Sequence, residues 1–202
     1  MKDNRETKKK LLASAKREFM EKGYMQASLR CICKNADVTT GALYFFFKDK
    51  EDLFASLVEA PLDELSEVMD RHFAEEIGDA GSGWTWKGDF SRDVDAAKQI
   101  IHCLYRCRDE FLMILTKSQG SRFETCAEQF VSVSETHYRR LAEMFAERIE
   151  TAPDNYMIHW TAHMTVDIFV HMLSHEPSEE AAIAHIEPIV KYLVSGWFGM
   201  MS

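Results

Sequence analysis

Residues 36–53 of the chain, ADVTTGALYFFFKDKEDL, decide the fold of its N-terminal part. Asp37 occupies a tight break, and Thr39 is positioned to cap a short helix that ends near Phe46. Asp49 lies in the polar break that follows and can cap a longer helix. The stretch therefore predicts a short helix between two turns, followed by a long helix.

Two more short helices are predicted upstream of this stretch. Apolar residues recur at spacings of three and four over residues 5–22, which is the period of a helix face, and Gly23 ends this pattern in the position of a C-terminal cap. Ser28 is positioned to cap a second helix that reaches about Asn35. Three short helices with a tight turn between the second and the third have the dimensions of a helix-turn-helix unit.

Small and apolar residues within this unit are spaced to pack the second helix against the third; they are Ile32, Ala36, Val38 and Leu43. Thr39 can direct the first backbone N–H groups of the third helix toward a phosphate. Donor side chains surround the same surface: Arg30, Lys34, Tyr44, Lys48 and Lys50. Such side chains bind DNA phosphates, and the exposed face of the third helix is expected to read bases.

The residue types and spacings of this region resemble the N-terminal domain of the tetracycline-repressor (TetR) family over about residues 9–54. The residues that carry the resemblance are Leu12-x-x-Ala15-x-x-x-Phe19-x-x-x-Gly23-Tyr24, Ser28-Leu29-Arg30-x-Ile32, and the continuous run from Ala36 to Leu53. The rest of the chain resembles the family only in length and helical layout. The resemblance implies a DNA-binding head and a body that binds a small ligand and forms a dimer.

A set of DNA-binding residues follows from the resemblance and from the donor surface described above. They are Arg30, Thr39, Thr40, Gly41, Ala42, Tyr44, Phe45, Lys48 and Lys50. The resemblance implies that Arg30 reaches a base from the second helix and that Tyr44 and Lys50 contact phosphates. Asp37 stands where the family usually has Gly, but Asp tolerates the left-handed conformation, so the turn is expected to survive. Phe45 and Phe46 stand where Tyr or His is common, which removes possible phosphate donors.

Helical periodicity continues through the rest of the chain, without the period-two alternation of strands. The long helix after Asp49 is predicted to reach about Ile77, and residues 78–90 are predicted to form a loop. Further helices are predicted over residues 92–107, 109–118, 123–150, 153–175 and 178–198, and Pro188 either kinks the last one or begins a second segment within it. We therefore predict an all-α fold of about nine helices, with a DNA-binding domain at residues 1–50 and an effector-binding and dimerisation domain at residues 51–202.

The charge of the chain is divided unevenly along its length. Residues 1–50 contain twelve Lys and Arg and six Asp and Glu, whereas residues 51–202 contain 12 basic and 27 acidic residues. The head therefore has a net charge of +6 and the body a net charge of −15, within a total of −9. This division predicts that the head meets a polyanion and that the body does not.

The cysteines and the N-terminus predict a cytoplasmic protein. The five cysteines are odd in number and include no Cys-x-x-Cys pair, which favours reduced thiols. The charged N-terminus is not followed by the apolar segment of a signal peptide, and no apolar run approaches the length of a membrane span. We therefore expect no membrane association.

Large, soft side chains in the body predict an adaptable apolar pocket. Its candidate residues are Trp84, Trp86, Tyr105, Met113, Phe123, Phe130, His137, Tyr138, Trp160, His163 and Met164. Three of these, His137, Tyr138 and His163, are the polar groups expected to orient a ligand. The acidic body favours neutral or cationic ligands over anions through its long-range field.

The last two long helices each carry an apolar stripe that predicts a two-fold homodimer. The stripes consist of Trp160, Met164, Ile168 and Met172 on the first helix and Ile186, Val190, Leu193 and Trp197 on the second. Pairing these helices with their symmetry mates would form a four-helix bundle. A dimer would also present two recognition helices to the two half-sites of an operator.

The sequence thus predicts a ligand-responsive transcriptional regulator, most simply a repressor that a small apolar or aromatic effector releases from a palindromic double-stranded DNA operator. One alternative is a metal-responsive regulator, because His159 and His163 lie four residues apart on one helix face. The other is an all-helical enzyme, but the chain has no nucleophile elbow, P-loop, Gly-rich dinucleotide turn or His-Glu-x-x-His motif. We expect no catalytic residue, no cofactor and no resident metal.

Overall fold

A computed structural model of the chain describes residues 2–81, 89–145 and 154–200. These residues form nine α-helices and no strand, which confirms the all-α prediction. The helices are α1 (Lys2–Gln26), α2 (Leu29–Asn35), α3 (Thr40–Phe46), α4 (Lys50–Gly81), α5 (Ser91–Arg106), α6 (Arg108–Lys117), α7 (Cys126–Phe145), α8 (Asn155–His175) and α9 (Glu179–Gly199).

Packing divides the chain into two compact units. The first unit consists of Met1–Asp63 and Cys107–Cys126, and the second unit consists of Glu64–Arg106 and Ala127–Ser202. The chain passes from one unit to the other within α4, between α5 and α6, and at the start of α7. This grouping rests on packing alone, and the predicted functional division between residues 50 and 51 stays a prediction.

The first unit contains the three N-terminal helices, with α6 packed on α1. Gly23 has a φ of 75°, a conformation that Gly adopts without strain, and it breaks the regular course of α1 where the sequence predicted a cap. Lys16 of α1 forms ion pairs of 3.0 Å with Asp109 and 2.9 Å with Glu110 of α6. Burial lowers the pKa of Lys16, but its hydrogen bonds to these two carboxylates outweigh burial and raise that pKa above its ordinary value.

The core of the first unit is built from aromatic and aliphatic side chains of α1 to α4. Phe19 and Phe54 are fully buried, and their rings meet edge to face with centroids 5.0 Å apart. Leu43 is the side chain by which α3 enters this core, and it is also fully buried. The core therefore holds the short helices α2 and α3, which at seven residues each are too short to be stable alone.

The second unit has two apolar clusters. One contains Ala80, Leu141, Ala142, Phe145, Ile158 and Trp197, contributed by α4, α7, α8 and α9. The other contains Val94, Ala97, Ile101, Met172, Ala182, Ile186 and Val190, contributed by α5, α8 and α9. These clusters show that several residues of the apolar stripes on α8 and α9 pack within a single chain.

The long helix after Asp49 extends beyond its predicted end near Ile77. The sequence predicted a loop over residues 78–90, but α4 continues through Gly81, and residues 82–88 lie outside the described residues. Ala80 is buried in the first apolar cluster of the second unit, so packing there outweighs the low helix propensity of Gly78. The helix α9 runs through Pro188 without being divided into two segments. In the part of the chain that the structure describes, no helix is both long and apolar enough to span a membrane.

Candidate functional site

The turn between α2 and α3 has the geometry of a helix-turn-helix unit. Asp37 has a φ of 54°, so it adopts the left-handed conformation that was expected where the family usually has Gly. Its neighbours close the turn with backbone hydrogen bonds: the N–H of Val38 donates to the carbonyl oxygen of Cys33 over 3.0 Å. The Oγ1 atom of Thr39 accepts from the N–H of Ala42 over 3.2 Å and so caps α3 as predicted.

The position of α2 is set by polar contacts with α1. The hydroxyl of Ser14, which is buried, donates to the carbonyl oxygen of Ile32 over 2.9 Å. The backbone N–H of Ser28 donates to Oε1 of Glu18 over 3.1 Å, and the hydroxyl of Ser28 accepts from the N–H of Cys31. These contacts fix the start of α2, so α2 and α3 are presented together on a rigid support.

The face of α3 opposite Leu43 is open to solvent. Thr40 and Gly41 are exposed, and the aromatic side chains of Tyr44 and Phe45 are 58% and 71% exposed. Large aromatic side chains on adjacent exposed positions are a common mark of an interaction surface. Ala42 is half-buried, while Arg30 of α2 and Lys48 after α3 are exposed. The predicted DNA-binding residues are therefore accessible or partly accessible in the first unit, and Lys50 is half-buried like Ala42.

Lys50 has a different position from the one predicted for a phosphate-binding residue. Its Nζ atom donates to the carbonyl oxygens of Tyr24 over 2.8 Å, Met25 over 3.2 Å and Ala27 over 3.4 Å. The ammonium group also lies 4.7 Å from the centre of the Tyr24 ring. Because its donors are engaged at the C-terminal end of α1, Lys50 serves as a cap for these carbonyl groups within the described structure.

The predicted pocket residues are divided between the two units. Met113 and Phe123 belong to the first unit, where Met113 is fully buried and the Phe123 ring packs 5.8 Å from that of Phe54. The second unit contains Tyr105, Phe130, His137, Tyr138, Trp160, His163 and Met164. Trp84 and Trp86 lie outside the described residues. The sequence could not separate these groups because spacing along one helix carries no information about which unit the helix joins.

Within the second unit, the hydroxyl of Tyr105 donates to the carbonyl oxygen of Met172 over 3.0 Å. Tyr138 is half-buried and shares a 3.0 Å hydrogen bond with the hydroxyl of Thr165, and burial raises the pKa of its phenol. His137 is buried, stacks on Phe73 with ring centroids 3.9 Å apart, and forms a 2.7 Å hydrogen bond with Glu76. These polar groups thus have partners within the chain.

The remaining predicted pocket residues on α8 line an open groove. Its walls are formed by Trp160, His163, Met164, Asp167, Ile168, His171, Met172 and Ile189. The groove thus combines part of the predicted pocket with part of the predicted dimer stripe. Trp160 is 42% exposed, whereas Ile186, Val190 and Trp197 are buried in the chain's own clusters. The accessible residues of the two predicted dimer stripes therefore lie mainly on α8. On α9, Leu193 is half-buried.

The histidine pair that suggested a metal-responsive regulator lies on the surface of α8. The rings of His159 and His163 meet edge to face with centroids 4.5 Å apart. Nδ1 of His159 lies 3.1 Å from Oε2 of Glu135, a hydrogen bond that lowers the pKa of this carboxyl group. The pair is close enough in space to be kept as a candidate, and its metal binding stays a prediction.

A second cluster of metal-ligating residue types was missed by the sequence analysis. His72 and Glu76 of α4 lie one turn apart, and one ligand atom from each of His72, Glu76 and Asp93 lies within 4.8 Å of the others. Asp93 is partly buried, and burial together with the charge of Glu76 raises the pKa of its carboxyl group to about 6. The spacing of His72 and Glu76 was a visible signal, but only the packing of α5 on this face brings Asp93 to them.

Comparisons with known proteins agree with this description of the first unit. Residues 11–57 match the model of the family described as "Bacterial regulatory proteins, tetR family". The chain is 39% identical over 64 residues to the transcriptional repressor BepR of Brucella suis biovar 1 (strain 1330), a match that covers 32% of this chain and 31% of BepR. It is 39% identical over 74 residues to the transcriptional regulator AcrR of Shigella flexneri, covering 37% of this chain and 34% of AcrR. The chain thus matches about a third of the length of these relatives.

The fold of the whole chain is similar to a solved structure of NalD, the secondary repressor of the MexAB-OprM multidrug efflux pump in Pseudomonas aeruginosa. The TM-score is 0.57, the sequence identity is 16%, and the alignment covers 98% of each chain. At this identity the likeness concerns the fold alone. The proteins named in these comparisons are described as regulators or repressors.

Proposed function

We propose that the chain is a DNA-binding transcriptional regulator of the TetR family, whose model matches residues 11–57. It acts as a repressor in this proposal and leaves a palindromic operator when its second unit binds a small apolar or aromatic molecule. A regulator of this kind works in the cytoplasm, where its operator is accessible.

The observation that carries the proposal is the exposed face of α3. This helix is anchored through Leu43, which is fully buried, while Tyr44 and Phe45 on the other face are largely exposed. A tyrosine hydroxyl can donate to a phosphate, and an apolar ring can contact the methyl group of thymine in the major groove. The net charge of +6 on residues 1–50 supplies the long-range attraction that phosphate binding needs.

Different residues of this surface are assigned different tasks. Arg30 and Thr40 are exposed on α2 and at the start of α3, and we assign them to base edges. Lys48 is exposed after α3, and we assign it to phosphate. Loss of a base-reading residue relaxes the preference for one sequence, whereas loss of a phosphate contact weakens binding to every sequence.

The DNA-binding proposal is tested by selection from a random double-stranded DNA library with the full-length chain. We expect a two-fold symmetric sequence to be enriched, with specific affinity on the order of 10⁻⁸–10⁻¹¹ M that falls steeply with salt. Thr40→Ala should broaden the selected sequence, and Lys98→Ala, an exposed position of α5 in the second unit, is the control that should leave it unchanged. Failure to enrich any sequence at low salt would contradict the proposal.

The effector is assigned to the second unit, among α5, α7 and α8. Support comes from His137 and Tyr138, which are polar side chains inside this unit with aromatic neighbours, an arrangement typical of sites that orient a small ligand. An effector regulates only through different affinities for two conformations, and a coupling of about 1–3 kcal/mol would suffice. The assay uses the DNA duplex enriched in the library selection. We expect that an apolar or aromatic compound that raises the melting temperature of the chain also releases the chain from this duplex.

We also propose that the regulator is a homodimer. The groove on α8 leaves apolar side chains of Trp160, Met164 and Ile168 accessible on one face, next to Ile189 of α9. An isologous interface requires such a self-complementary patch, and two copies would supply the two recognition helices that a palindromic site needs.

A further inference from the structure

We propose that His72, Glu76 and Asp93 form a binding site for one divalent transition-metal ion in the second unit. The three residues come from two helices: His72 and Glu76 from α4, and Asp93 from the first turn of α5. The site is distinct from the His159 and His163 pair on the surface of α8. It is a property of the second unit, so binding of the ion does not depend on the proposed DNA-binding function.

The spacing of the ligand atoms fits a metal ion. Nε2 of His72 lies 3.4 Å from Oε2 of Glu76, and Asp93 completes a group whose ligand atoms all lie within 4.8 Å of one another. Two ligands at zinc-binding distances in a tetrahedral site are about 3.3–3.6 Å apart. The geometry of His72 and Glu76 therefore needs almost no rearrangement to bind an ion.

His137 of α7 lies beside this group as a partner of Glu76. Its Nε2 atom lies 2.7 Å from Oε2 of Glu76, which is the distance of a hydrogen bond. The His137 ring is stacked on Phe73 with ring centroids 3.9 Å apart. His137 therefore holds the Glu76 carboxylate in place, as the outer partner of a metal ligand does.

The two carboxylates of the cluster also favour binding of a cation. Glu76 and Asp93 are close to each other, and in the described ranges no Lys or Arg forms an ion pair with either of them. The basic groups beside Glu76 are the imidazoles of His72 and His137. Two carboxylates that approach each other repel, and a divalent ion bound between them removes this repulsion. The side chains of His72 and Glu76 are 18% and 31% exposed, so an ion can reach the site from solvent.

The set of donors indicates the class of ion. One imidazole nitrogen and two carboxylates, with water at the remaining positions, suit Zn²⁺, Fe²⁺ or Mn²⁺, whereas Mg²⁺ and Ca²⁺ prefer oxygen ligands alone and Cu(I) prefers sulfur. A bound ion would join α4 and α5 within the second unit. An effect of this ion on DNA binding rests on the proposed function. The route for such an effect is α4, which begins at Lys50 in the first unit and carries His72 and Glu76 in the second unit.

The test is calorimetric titration of the full-length, chelator-treated chain with Zn²⁺ alone and then with Mn²⁺ alone. We expect one ion per chain. Asp93→Asn and His72→Gln should each raise the Kd at least about 100-fold, since loss of even an outer partner of a metal ligand costs about 10–100-fold. His102→Gln is the matched control, because His102 forms a comparable 2.9 Å pair with Glu179 in the same unit but is exposed. Circular dichroism checks that each variant is folded.

Unchanged affinity in both site variants, or no binding to the unmodified chain, would overturn the proposal. Loss of binding only in the His159→Ala, His163→Ala double variant would assign the ion to α8 instead and would also overturn it.

If the site variants fail to fold, a second measurement uses the unmodified chain loaded with Co²⁺. Its visible absorption reports whether nitrogen and oxygen ligands surround the ion in tetrahedral geometry, and absence of this absorption would count against the site. Binding of a quaternary ammonium probe without Zn²⁺ binding would identify an organic-cation site. DNA selection is measured separately, so failure of the metal site leaves the DNA-binding proposal intact.

Discussion

Lys48 and Lys50 are two positions apart and have the same side chain, yet the structure surrounds them differently. Lys48 is exposed, and only its backbone N–H is engaged, by Oδ2 of Asp52 over 2.8 Å. The ammonium group of Lys50 faces three carbonyl oxygens at the end of α1. The ammonium group of Lys48 is therefore exposed to solvent, whereas that of Lys50 is engaged within the chain at the end of α1.

We predict opposite consequences of removing these two lysines. Lys50→Ala should lower the free energy of unfolding by about 1.5–3 kcal/mol, because hydrogen bonds from a charged group are lost. Lys48→Ala should change it by less than about 0.5 kcal/mol but should reduce the slope of log affinity against log salt by about 1. Urea unfolding and DNA titration at several salt concentrations measure both effects. A stable Lys50→Ala variant with a reduced salt slope would contradict this assignment.

At the scale of elements, capping residues define where the helices begin. Ser28 and Thr39 were predicted as N-caps, and each accepts a hydrogen bond from a backbone N–H in the first turn of α2 and α3, respectively. Ser178 caps α9, the last predicted helix, in the same way. Asp49 does the same for α4: its Oδ1 atom accepts from the N–H of Asp52 over 2.8 Å. These predictions are confirmed because a cap depends on residues within one turn of each other.

The cap at the start of α4 leads to an element-scale prediction. Asp49→Ala should cost about 0.5–2 kcal/mol of stability, since it leaves the N–H of Asp52 without its acceptor at a helix N-terminus. Asp49→Asn retains the acceptor oxygen and should recover most of the loss. The midpoint of urea unfolding, compared at one protein concentration, measures the difference. Equal midpoints for the Ala and Asn variants would show that the cap does not stabilise α4.

At the scale of the whole molecule, the stripes that predicted a dimer have two roles. Ile186, Val190 and Trp197 are at most 6% exposed within one chain, so they belong to its core. Trp160 and the half-buried Leu193 remain accessible, and so do most residues of the groove on α8. We expect the dimer interface to use these accessible residues, while the buried residues pack in the core of each chain.

Leu193→Glu is therefore predicted to weaken the homodimer. A charge at this half-buried position would have to be desolvated on association, which is costly without a partner of opposite charge. Sedimentation at micromolar concentration should detect monomer, while circular dichroism remains unchanged. Lys98→Glu introduces the same side chain at an exposed position of α5 and is expected to leave the dimer intact. A Leu193→Glu chain that stays fully dimeric would exclude Leu193 from the interface.

The sequence by itself determined the class of fold, the order of the helices, most of their caps and the helix-turn-helix unit. These features depend on helical periodicity and on contacts within one or two turns, so residues such as Asp37 and Thr39 carry them locally. The contacts of Lys50 could be found only from the packing of the helices, because Lys50 bonds carbonyl groups up to 26 positions away. The same holds for the His72 cluster and for the hydrogen bond between His137 and Glu76, which are 61 positions apart. Such contacts are set by which helix faces pack together, and this choice depends on the whole core and not on the spacing within any one helix.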